Sequence, residues 1–92
     1  MTYERFLALD SAEISALPAA LAALALDRVG QWDAAHARAA EAKALETDRV
    51  HAYLHRKEGD MSNARYWYER VGEPISDLSL EEEWSALVRR FL

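Results

Sequence analysis

Three histidines and one glutamate carry the most specific chemical pattern in this chain. His51, His55 and Glu58 stand at i, i+4 and i+7. At about 100° per residue they fall within about 60° of one another on one helix face. That spacing lets one helix offer two imidazoles and a carboxylate to a metal ion. His36, on a preceding helix, would add a fourth ligand. The same stripe borders apolar Val50 and Leu54, so the preferred reading is plainer: half-buried histidines hydrogen-bonded to Glu58, Asn63 or a tyrosine. A small metal- or ligand-binding protein using His36, His51, His55 and Glu58 is the alternative. Spacing of this kind is a weak motif by itself, and no His-Glu-x-x-His sequence reinforces it.

Other reactive groupings are scarce. The chain has no cysteine, which excludes disulfides, thiolate catalysis and cysteine-ligated zinc. Its serines sit where caps and turns are expected, and they complete backbone hydrogen bonds there. The run Glu81-Glu82-Glu83 suits the positive end of a helix dipole. No glycine-rich loop is present to cradle a phosphate. Catalysis is therefore the less favoured class, and no cofactor is expected.

With 92 residues there is room for one domain, spanning residues 1–92. A composition 51% hydrophobic and 29% charged is globular rather than disordered. The net charge of −5 argues against nucleic acid as a partner, because phosphate neutralisation by Lys and Arg supplies most of that affinity. Residues 1–5 lack a basic start followed by an apolar run, so no signal peptide is expected. The apolar stretch 17–26 contains Pro18 and is too short to span a bilayer. No membrane partner is expected, and the cytoplasm is the expected location.

The elements that must position these side chains read as helices throughout. Alanine is abundant, while glycine and proline number only three and two. Ala gives up no side-chain entropy on entering a helix. A short helix is predicted within 2–9, and Asp10 with Glu13 forms a capping box that restarts the chain near Ser11. Pro18 opens a helix running to about Val29, and Gly30 closes it. A second long helix is predicted from Trp32 to about Leu45. Thr47 is expected to cap a third that ends at Gly59. Asp60 caps a fourth, closed by Gly72 and Pro74. Ser79 and Glu82 open a last helix with Leu80, Trp84, Leu87, Val88 and Phe91 on one stripe. No segment alternates as a strand does. The fold class is all-α.

A repeat underlies this layout. Gly30 and Gly59 stand 29 positions apart, and the same offset relates Ala23 to Ala52 and Ala35 to Ala64. Each unit reads helix, Gly-polar turn, helix, with small residues where two antiparallel helices would approach. The pattern resembles the tetratricopeptide-repeat hairpin with shortened units, since the usual period is about 34 residues. It implies two antiparallel TPR-like helical hairpins, with N-terminal and C-terminal helices as caps. A more specific resemblance lies in His51-Ala52-Tyr53-Leu54-His55-Arg56-Lys57-Glu58-Gly59-Asp60 followed by Asn63-Ala64-Arg65-Tyr66-Trp67-Tyr68. With the upstream Trp32-Asp33-x-Ala35-His36, this looks like the signature of a small uncharacterised bacterial family. That resemblance brings no activity with it.

The repeat register also suggests a surface. Arg49, Tyr53, Arg56 and Lys57 would lie on the inner, groove-forming side of the third long helix. There they would put positive charge and an aromatic beside a shallow groove on an acidic protein. Such a patch suits an acidic peptide segment or a chain-terminal carboxylate. Neither arginine is assigned to the core. Tyr66 and Trp67 lie off the Ala64–Tyr68 stripe, so a second, partly exposed aromatic patch is expected. The leading functional reading is a protein-interaction module that docks a partner segment or a second copy of itself.

Overall fold

The computed structural model describes residues 1–92 as seven helices with no strand. Two short ones come first, α1 (Tyr3–Phe6) and α2 (Ser11–Ser15), followed by α3 (Ala19–Arg28) and α4 (Trp32–Ala42). Then come α5 (Leu45–Glu58), α6 (Met61–Val71) and α7 (Leu80–Phe91). The caps are chemical. Asp10 and Glu13 form the capping box of α2, as Ser79 and Glu82 do for α7. Asp60 accepts the Asn63 amide at the start of α6. Gly30 and Gly59 turn the two hairpins at φ +82° and +89°, a region costly for any side chain.

One boundary differs from the sequence reading. The helix predicted from Trp32 to about Leu45 ends at Ala42, because Lys43 adopts a left-handed φ of 48°. The next helix therefore begins at Leu45, and Thr47 lies inside its first turn rather than capping it. The Thr47 hydroxyl still reaches back, accepting from the Ala44 amide at 3.0 Å.

Helices α3 and α4 form one antiparallel hairpin, α5 and α6 the next, and α4 packs against α5 between them. Helix α7 folds back over α3 and α5, while α1 covers its Trp84 with Tyr3 and Phe6. Ala23, Ala35, Ala52 and Ala64 are all fully buried at 0% exposure. Small side chains at these points let the helix backbones approach closely. The main core runs through Leu21, Leu24, Val50, Tyr53, Leu54, Trp84, Leu87 and Val88. A separate, smaller core of Ala52, Ala64 and Tyr68 seats α6 on α5, with Trp67 and Ile75 at its edge.

Ala64 has no room to grow. Ala64→Leu should cost about 1–3 kcal/mol through overpacking, read as a lower urea midpoint with an unchanged slope.

Candidate metal centre

The α4–α5 packing brings the three histidines together. His36 extends from α4, one turn beyond Trp32, while His51 and His55 extend from successive turns of α5. Their ring centroids are 4.5 Å (His36–His51), 5.0 Å (His36–His55) and 4.7 Å (His51–His55) apart. One ring nitrogen from each lies within 4.8 Å of the other two. A tetrahedral ion bound at 2.0–2.1 Å needs nitrogens about 3.3 Å apart.

Two indoles frame the trio. Trp32 stacks on His36 at 5.0 Å, and Trp67 of α6 stacks on His51 at 4.1 Å and 17°. Trp32 is itself fixed by donating its indole N–H to the Leu54 carbonyl at 3.0 Å. The sequence reading did not connect either tryptophan to the histidines. The signal was present in both cases: Trp32 stands four residues before His36, and Trp67 precedes the core residue Tyr68.

The two α5 histidines are both 5% exposed, but they differ in bonding. His55 Nδ1 lies 2.7 Å from Glu58 Oε1. With Glu58 as the acceptor, Nδ1 donates, and Nε2 is the ring nitrogen that Glu58 does not engage. This carboxylate–imidazole pairing is the usual outer-shell device that orients a metal-ligating histidine. His51 has no such partner: its buried Nδ1 makes no hydrogen bond. The expected contacts from Asn63 or a tyrosine do not form at His51, and Asn63 instead caps back onto Asp60. An unpaired buried polar atom costs about 1–3 kcal/mol.

Burial and the neighbouring His36 and His55 push the His51 pKa down to about 4. Burial, aided by His55, also lowers His36. His51 is thus a neutral lone-pair donor at neutral pH. Glu58 and Asp60 also come within 4.8 Å of a His55 donor atom, but the Asp60 carboxylate is engaged in capping α6. The donor set that fits an ion is therefore His36, His51 and His55, with Glu58 behind His55.

The expected basic surface is largely internal. Arg49 is only 6% exposed, and it donates to Glu83 at 2.7 Å and to Glu73 at 3.0 Å. Arg56 also donates to Glu83, at 2.7 Å. Tyr53 is 2% exposed and donates to buried Asp27 at 2.9 Å, and Lys57 joins the same carboxylate at 2.8 Å. The inner side of α5 is not an open groove as expected, because α7 lies on it. Of the four residues, only Lys57 remains exposed. Tyr66 is exposed, at 54%, and Trp67 is half-buried, as expected of a partly exposed patch, with its ring stacked on His51.

Two residues central to this arrangement were missed. Glu83 belongs to a run read only as a helix start suited to the dipole, yet it is 1% exposed. Its position three after Leu80 and four before Leu87 placed it on the apolar stripe all along. Asp27 likewise stands four after Ala23 on the buried side of α3. No family model matches the chain, and neither a curated protein nor a solved structure matches it.

Two measurements check this description. His51 is neutral in the folded chain and titrates near its ordinary 6.5 when unfolded, so the unfolded state binds more protons between those values. Stability should be full above pH 6.5 and fall by about 3 kcal/mol as pH drops to about 4. Urea titrations across this range should show the slope, and His51→Phe should remove much of it. Arg49→Glu with Arg56→Glu sets like charges against buried Glu83. That double variant should lose at least about 3 kcal/mol in the same assay, rather than leaving the domain unaffected.

Proposed function

We propose that this chain binds one transition-metal ion through His36, His51 and His55. The observation that carries the reading is the convergence of three imidazoles around a buried Nδ1 that has no hydrogen-bond partner. An all-imidazole donor set suits borderline ions such as zinc, copper(II), nickel or iron(II). Magnesium and calcium, which prefer oxygen ligands, are excluded by the same argument. At neutral pH the ion need not displace a proton from His51, so binding there carries little proton linkage. Glu58 would hold the His55 ring in the binding tautomer. Because the ligands come from α4 and α5, a bound ion would bolt one hairpin to the other.

A second reading, docking of a partner segment, rests on a groove of about 690 Å³ along the edge where α7 meets α3 and α5, lined by Asp27, Arg28, Lys57, Glu81 and Trp84. Arg28 and Lys57 are exposed there, but Lys57 is paired with Asp27 and Glu81 lines the same groove, so the charge of the groove selects neither sign of partner.

Metal binding is tested by titrating the purified, chelator-treated chain with zinc and with cobalt(II). One ion should bind per chain, and cobalt should show the intense visible bands of tetrahedral coordination. Saturation at about 100 times the dissociation constant should stabilise the fold by about 2.7 kcal/mol. His51→Ala with His55→Ala should abolish binding, and Glu58→Gln should weaken it about 10–100-fold. No binding, or binding that survives the double histidine variant, would return the cluster to a purely structural role.

A further inference from the structure

The chemistry expected of an external acidic ligand is supplied here by the chain itself. The cations on the inner side of α5, Arg49 and Arg56, converge on one carboxylate, Glu83 of α7. The next residue, Trp84, donates its indole N–H to the Leu24 carbonyl of α3 at 2.8 Å. Leu87 and Val88, one turn further on, complete the apolar stripe. Together α3 and α5 thus form a seat for an amphipathic helix. An acidic anchor, an adjacent indole and aliphatic residues one turn later are what it recognises.

The covalent connection of α7 to the rest of the chain is one short non-helical segment. Residues 72–79 are non-helical and can extend to about 25 Å. Beyond the seat, α7 meets α1 through Tyr3 and Phe6 against Trp84 and Tyr3 against Ser85 and Arg89. It also meets α6 through the Tyr68 hydroxyl on Glu83, and the linker through the Glu73–Arg90 pair. The seat distinguishes occupants by chemistry, and nothing in that chemistry requires the helix to come from the same chain. Covalent attachment gives the resident helix only the advantage of a local concentration in the millimolar range.

We propose that the α3/α5 seat is an exchangeable helix-binding site, and that its occupant in trans is α7 of a second copy. Exchange in both directions gives a two-fold dimer in which each seat keeps its contacts and only the linker changes course. This is the low-cost route by which identical elements are swapped between protomers. It is independent of the metal site, whose ligands lie on α4 and α5.

Charge reversal in full-length chains tests it. One chain carries Glu83→Arg, and a second carries Arg49→Glu with Arg56→Glu. Each alone opposes its own α7 with like charge. In a reciprocal exchange both seats become matched again. Refolding the two together should give a 1:1 heterodimer by light scattering, with a melting temperature above that of either variant alone. A chain carrying all three substitutions, matched within itself, serves as the folding control. If that control folds while the mixture yields no heterodimer, the proposal is overturned.

If the control fails to fold, a chain lacking residues 76–78 decides the matter. The shortened linker should hinder return to the chain's own seat and shift the protein to dimer at micromolar concentration. A folded monomer, or an unfolded chain, would overturn the exchange.

Discussion

The buried carboxylate of Glu83 is the contact on which the upper half of the molecule depends. It accepts from Arg49 and Arg56 of α5 and from the Tyr68 hydroxyl of α6, so one side chain of α7 ties three helices together. Relative to apolar packing, such a cluster adds little net stability, since desolvating the charges offsets most of their attraction. Its effect is on orientation. Any seating of α7 that slides or rotates the helix leaves a buried charge without a partner, and that outcome is costly. Arg49 extends the constraint outward by also holding Glu73, which is shared with Arg90. Burial and these hydrogen bonds also leave the Tyr53 and Tyr68 hydroxyls strongly disfavoured as phenolates, so both remain donors at any physiological pH.

The histidine trio is organised differently, by close approach rather than by charge. Helix α4 packs against α5 closely enough for imidazoles on both to meet. Trp32 then stacks on His36 and Trp67 on His51, while His36 meets His51 and His55 edge-on. Protonated rings at these separations would repel one another in a poorly solvated site. The lowered pKa values of His36 and His51 are the electrostatic expression of that packing.

Much of this architecture was legible in the residues. The hairpins followed from the offset relating Gly30 to Gly59, and the small-residue crossings from the paired alanines. Caps at Asp10, Asp60 and Ser79 were readable from local spacing alone, because a cap is satisfied within one helical turn. The convergence of His51 with His55 was legible for the same reason. His36 could be suspected but not placed, since its approach depends on how α4 lies across α5. The basic surface was misread because charge pairing is non-local. Arg49 and Arg56 meet a carboxylate some thirty residues away, and no spacing within α5 reveals it. Glu83 was obscured by its neighbours: three glutamates in a row look like one solvated face, yet a helix turns the third towards the core.

The stacking of Trp67 on His51 has an optical consequence. Of the three tryptophans, two touch imidazole rings, while Trp84 sits in the main core against Tyr3 and Phe6. Indole emission is quenched by a neighbouring protonated imidazole and by many open-shell ions. The chain therefore carries its own fluorophores at the histidine site and a shielded one away from it. Light emitted by Trp32 and Trp67 reports on the state of the rings they cover, with no label attached.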